Sequence, residues 1–414
     1  MTSRERLIKA LNHIETDRPP IDLGATNTTG ISALSLHHLR EKLGLKGKVR
    51  IAEPFQILGE VDDEVRKALG VDVVGIFDRN TFFGYQNGTG WKDWNFKGVD
   101  MLIGEGFITT TNEKGDTFVY PQGDLTAKPS GRLPADGYYF DGILREEEVD
   151  EDALDPVGDF KEQFRVMSDE DLLYLQKQAE HVFNDTEYGS ILMWGGGALG
   201  DVALLPGTGL KYTPGVRDIE EWYMYHLLHP EYITELFAFQ TEIAIENLKL
   251  LKEALGDKIQ ALYVSGTDFG TQLDTLIRKD LFVEMYKPFY RKINDWIHEH
   301  TRWKTFYHSC GAIKSFIPEF IDMGVDILNP VQCSAVGMEP KELKDTFGDD
   351  IVFWGGAVDT QKTLPFGTPK EVYTEAKERC DIFKKGGGFV FNSVHNIQAG
   401  TSPENILAFF EAAK

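Results

Sequence analysis

Cysteine is scarce in this chain. Three residues among 414 are too few for a disulfide framework and suit a reducing, cytoplasmic setting. Positive charge is also short: 43 Lys and Arg stand against 66 Asp and Glu, a formal charge of −23. A surface of that sign repels phosphate backbones and anionic lipid, which argues against nucleic acid and membrane partners. A small anionic ligand stays admissible, because a local pocket can oppose the global field. No apolar run approaches the roughly 20 residues of a membrane helix. The opening MTSRERLIKALNHIE lacks the apolar core of a signal peptide and reads as an amphipathic helix begun by a Thr2/Glu5 capping box.

What remains is an ordinary globular composition, 42% hydrophobic, arranged as alternating strands and helices. RPPIDLG and VDVVGIF (71–77) read as strands near the N-terminus. From about 82 to 141, short stretches such as FITTTN and DTFVYPQ are separated by Gly, Asp, Asn and Pro, the texture of an antiparallel meander. The acidic run REEEVDEDALDP that follows reads as a solvated connector. Beyond residue 160 the units repeat: helix EQFRVMSDEDLLYLQKQAEHVF, strand SILMW, a helix pair broken at Pro230, strand IQALYVSG, helix LFVEMYKPFYRKINDWIHEH, strand WKTFYH, and so on to the helix SPENILAFFEAAK. Repeated strand–helix units imply parallel strands with right-handed crossovers. The expected fold is a (β/α)8 TIM barrel, one domain over 1–414 with a small antiparallel insertion at about 82–141.

In such a barrel, chemistry gathers on the loops after each strand. Five segments carry polar residues there: VSGTDFGTQ, YHSCGA, NPVQCSA, WGGAVDTQ and NSVHNIQAG. In His308-Ser309-Cys310, residues i and i+2 at an extended strand end face the same way, so an imidazole and a thiol can share an ion. Neutral nitrogen and thiolate sulfur are donors that zinc favours, and Cys333 on the next strand end would make a third. The alternative is a buried histidine beside two inert thiols. Asp268 and Asp359 are candidates for proton transfer, as is His395, which is equally a candidate ligand. Gln272, Gln361, Asn396 and Gln398 are candidates for substrate binding. Cys380 shares helical spacing with Val372, Ala376 and Phe383 and reads as core. Gly195–Gly200 matches G-x-G-x-x-G, but the Pro and Gly that follow deny it the helix a dinucleotide site needs. His37 and His38 lie in an amphipathic helical stretch with no assigned role.

RERLIKALNHIETDRPPIDLG at the start, and HSCG, LNPVQ, FWGGAVDTQ, LPFGTP and NSVHNIQAGTSPENI towards the end, resemble the uroporphyrinogen decarboxylase superfamily over nearly the whole chain apart from the insertion. The resemblance implies a (β/α)8 barrel and one of two chemistries. Its tetrapyrrole decarboxylases are metal-free and grip substrate carboxylates with arginines in an N-terminal segment; the corresponding DLGATNTTGISAL here has none. Its corrinoid-linked methyltransferases carry H-x-C as zinc ligands, which His308 and Cys310 match. In the thiol-methylating members the last ligand is a cysteine on the final strand, where this chain has FNSVHNI, so either Cys333 or His395 completes the set, or the site is not a thiol-activating zinc site. That departure points away from thiol methylation and towards transfer of a methyl group from a small molecule, such as a methyl ether, to a corrinoid carried by a partner protein. A metal-free decarboxylase or lyase acting on a carboxylated substrate is the alternative, and a non-catalytic corrinoid or tetrapyrrole carrier the third reading.

Overall fold

The computed structural model describes residues 1–145 and 149–414. Glu146–Glu148, part of the acidic run read as a connector, lie outside the described residues. Seven strands form one parallel sheet, each paired with the next in sequence: Val73–Phe77, Gly189–Met193, Ala261–Ser265, Lys304–His308, Ile327–Asn329, Val352–Trp354 and Phe389–Val390. The RPPIDLG segment closes the ring. Phe391 donates to Pro20 O at 2.8 Å and Asp22 donates to Phe391 O at 2.9 Å on one side; Asp72 donates to Ile21 O at 2.7 Å on the other. The result is the expected α/β barrel.

Alternation along the strands decides what faces inward. Ala261, Tyr263, Phe306, Ile327, Val352, Trp354 and Val390 pack together in the barrel's interior, with Leu7 and Leu11 of the first helix closing the floor. Their neighbours Leu262, Val264, Tyr307, Leu328 and Phe353 pack outward against the helices. His308 is two residues beyond Phe306, so it shares the inward parity at the end of its strand. The first helix, Ser3–Leu11, starts on the expected Thr2/Glu5 capping box.

Between the first two strands of the sheet lies the antiparallel insertion: a hairpin of Trp91–Phe96 with Val99–Gly104, then a four-stranded sheet running from Thr109 to Gly142. Its Phe83, Phe107 and Phe140 are buried in the same cluster as the helices around the barrel.

Three local readings change. The helix expected from Glu162 begins only at Asp169, where the Ser168 hydroxyl accepts from Asp171 N and three acidic residues occupy the first turn. The stretch 281–300 is two helices, Lys279–Met285 and Lys287–His300, because Pro288 cannot continue the first one's hydrogen bonding. Arg145, at the head of the acidic run, is buried and donates to the carbonyls of Leu210 and Gly207, both at 2.6 Å. Among the described residues no helix is long and apolar enough to cross a membrane.

Candidate metal site at the barrel mouth

The loops after the third, fourth and last sheet strands meet at the C-terminal end of the barrel. Gly311 (φ +94°) is what allows it: a Cβ there would collide with the backbone of Gly270, so the two loops touch only because both are bare. This contact brings Asp268 Oδ1 to 2.6 Å from Cys310 N, whose N–H it accepts, and to 3.7 Å from His308 Nε2. Gln332, from the LNPVQ segment, accepts the Gly311 N–H at 2.8 Å and holds the loop from the other side.

His308 is buried, and its ring is oriented from behind. Its Nδ1 lies 2.7 Å from Asn329 Oδ1, and the Asn329 amide is fixed in turn by donating from Nδ2 to Trp354 O at 2.8 Å. The amide oxygen accepts, so Nδ1 carries the proton and the Nε2 lone pair is left facing the cavity. Cys310 Sγ lies 3.3 Å from that Nε2. His395, from the final strand's loop, sets its ring against His308 in an edge-to-face contact with centroids 5.4 Å apart. Donor atoms of His308, Cys310 and His395 all lie within 4.8 Å of one another.

This donor set fits a zinc ion. A nitrogen at about 2.0 Å and a sulfur at about 2.3 Å from one ion are separated by roughly 3.3–3.6 Å at near-tetrahedral angles, and the Cys310–His308 spacing falls there. Burial, with the neighbouring His308, pushes the His395 imidazole down to about 3, so it stays in the neutral, ligating form. Burial and then the Asp268 carboxylate push the Cys310 thiol well above its usual range. A cation at this point supplies the opposing charge that makes the thiolate favourable. Cys310 and His395 are only partly buried, so the group is reachable from the mouth.

Cys333 does not join them, which corrects the expectation that it supplies a third donor. It comes four residues after Asn329, and the turn aims its Sγ at Val331 O (3.4 Å) and Gly356 O (3.6 Å), where burial raises the thiol to about 12. Asp359 is likewise drawn away from chemistry. Its Oδ1 accepts from the backbone of Gln361 at 2.7 Å and Lys362 at 3.1 Å, a turn cap rather than a free carboxylate. Asn396 is fully buried and ties the N-terminal loop down, accepting from Gly30 N and donating to Asn27 O and Gln56 Oε1. Gln398 is exposed and donates to Asn396 O at 3.1 Å. Gln272 and Gln361 are exposed at the rim, where Gln272 Nε2 donates to Gln361 Oε1 at 3.2 Å. Cys380 is core, and no helix follows Gly200 directly, both as expected.

Asn329, Gln332, Tyr263 and Asp201 were not singled out from sequence. Asn329 could have been, since it is the polar residue ending the strand that runs beside His308, in register with it. Asp201 ends the GGGALGD loop after the second sheet strand, whose glycine spacing signals a nucleotide motif and nothing about the carboxyl. A separate cleft of about 970 Å³ opens beside the barrel, lined in part by Glu53, Trp91 and Trp194; the three donors do not line it.

An α/β barrel with a histidine–cysteine–histidine group at its mouth is the class of protein that fold and site define. Residues 210–414 match the family model for uroporphyrinogen decarboxylase (URO-D). A solved structure described as a methyltransferase from Methanosarcina mazei is similar, with a TM-score of 0.55 and 15% identity over 100% of this chain and 98% of that one. At that identity the likeness is one of fold. No curated protein matches the sequence.

Proposed function

We propose that the protein is a methyltransferase moving a methyl group from a small methylated molecule, such as a methyl ether, to a corrinoid carried by a partner protein. The observation that carries the reading is the donor group itself: three zinc-type ligands converging at the mouth, with His308 already oriented by Asn329. The fold it shares with a methyltransferase supports the same reaction class. A ring of arginines for a polycarboxylate is missing from the first loop, where Thr26, Asn27, Thr28 and Thr29 stand instead, which disfavours the decarboxylase reading.

His308 Nε2, Cys310 Sγ and His395 would hold the zinc. When bound, the ion polarises the heteroatom that carries the methyl group and stabilises the charge left on it. The protein's remaining work is alignment, because methyl transfer is an in-line displacement whose donor and acceptor must be held close to the reacting geometry. Asp268 holds the Cys310 loop through the backbone N–H and places negative charge beside His308, which favours a cation between them.

Cys310→Ser tests this directly. The expected outcome, read by elemental analysis and by methyl transfer to cob(I)alamin, is loss of stoichiometric zinc together with at least about a hundredfold loss of rate. A variant that keeps both zinc and rate removes the reading.

A further inference from the structure

A methyl ether that gives up its methyl group leaves an oxygen holding an electron pair, and that oxygen needs a proton. None of the donor-group residues is free to supply one. His308 Nδ1–H is committed to Asn329, and the His395 imidazole is held neutral by its burial. A second carboxyl group, Asp201, keeps one of its two oxygens without a hydrogen-bond partner among the described residues.

Asp201 follows Gly200 in the loop after the Gly189–Met193 strand. Its Oδ1 accepts from Ala203 N at 2.9 Å, and among the described residues its Oδ2 has no hydrogen-bond partner. That oxygen stands over Gly266: a Cβ on Gly266 would lie 3.2 Å from Asp201 Oδ2 and 2.7 Å from the Tyr263 hydroxyl. A bare glycine therefore keeps open a small polar space bounded by a carboxyl and a phenol. Two residues further along, Asp268 reaches Cys310 N and His308 Nε2.

The Asp201 loop is rigidly built. Gly195 and Gly197 donate to Tyr263 O and Val264 O at 2.8 and 3.1 Å, and Thr267 Oγ1 and Tyr290 OH both donate to Leu199 O. Gly200 packs on Tyr286, whose hydroxyl is bonded to His226 Nε2 at 2.6 Å. Structure of this kind is characteristic of a group whose position matters.

We propose that Asp201 is the proton donor of the site, delivering its proton to the substrate oxygen as the methyl group departs. This rests on the methyl-transfer reading above and adds its acid. In that step the methyl carbon–oxygen bond breaks with its electron pair staying on oxygen. The reduced corrinoid's cobalt(I) supplies the pair for the new bond to carbon and is formally oxidised to cobalt(III). The oxygen takes the Asp201 proton, which solvent later restores. Burial, and then the charge of Asp268, raise the Asp201 carboxyl to about 7, so it holds a proton near neutrality. Burial raises Tyr263, Tyr223 and Tyr290 as well, which keeps them neutral.

The test is Asp201→Asn in the zinc-loaded, full-length protein, with cob(I)alamin as acceptor. Anisole, whose phenolate needs the proton, should be demethylated about 10²–10⁴-fold more slowly. Nitroanisole, whose leaving group is stable as an anion, should lose less than tenfold, with zinc content unchanged. Equal losses on both substrates, or no loss on either, would overturn the proposal. Infrared difference spectra give a readout that does not depend on turnover: the wild type should show a protonated-carboxyl band at pH 6 that D201N lacks, and its absence also refutes the assignment. A wild type that carries this band but transfers no methyl group defeats the functional reading instead, and with it the donor role.

Discussion

At the floor of the barrel the Asp72 carboxylate receives five hydrogen bonds, from Ser3, Arg6, Ile21 N and twice from Arg18. At the mouth Asp201 receives one, from Ala203 N. Both carboxylates follow the same design rule of polar residues at strand ends, yet the floor spends its polar groups on each other while the mouth leaves them open. The difference is what separates stability from chemistry in this architecture. A satisfied buried charge locks elements together. An unsatisfied one has a shifted proton affinity and a free valence for a ligand.

The comparison can be broken from either end. The largest effect should come from the floor. Asp72→Ala leaves Arg6 without one partner and Arg18 without its carboxylate, and should cost about 3–5 kcal/mol of unfolding free energy, read by urea denaturation. The zinc content of the protein that remains folded should not change. At the mouth the order reverses. Asn329→Ala removes the group that sets the His308 tautomer and should weaken zinc binding about 10–100-fold by competition with a chelator. The smallest effect belongs to Cys333→Ala. Its sulfur faces two carbonyls and not the donor group, so zinc stoichiometry and transfer rate should match the wild type. A loss of zinc in C333A would show that the ion sits elsewhere.

Much of this was legible in the chain. The strands from Val73 onward, the break at Pro230, the antiparallel insertion and the His308–Cys310 pair all follow from local pattern: alternation, turn residues and i, i+2 parity. The misreadings share one cause. Cys333, Asp359 and Asn396 sit in the right loops for function, but a few residues past a strand the turn, not the strand, decides where a side chain points. Asp359 was claimed by the backbone of its own turn, an ordinary fate for Asp that sequence does not distinguish from readiness for a substrate, and Asn396 by the N-terminal loop more than 300 residues away. Asp201 failed in the other direction, since nothing in GGGALGD indicates which carboxyl will be left without a partner.

By itself the sequence determined the barrel, through the period of its apolar residues, and the chemistry available at the mouth, through the residue types at its strand ends. Only the tertiary structure decided that His395 rather than Cys333 joins His308 and Cys310, that Asn329 sets the imidazole, and that Asp201 is left with a free oxygen. Those outcomes depend on contacts between loops separated by 21 to 87 residues, such as His308 with Asn329, Gly266 with Asp201 and His308 with His395. Local propensity carries no information about such distances, whereas closure of the ring fixes them.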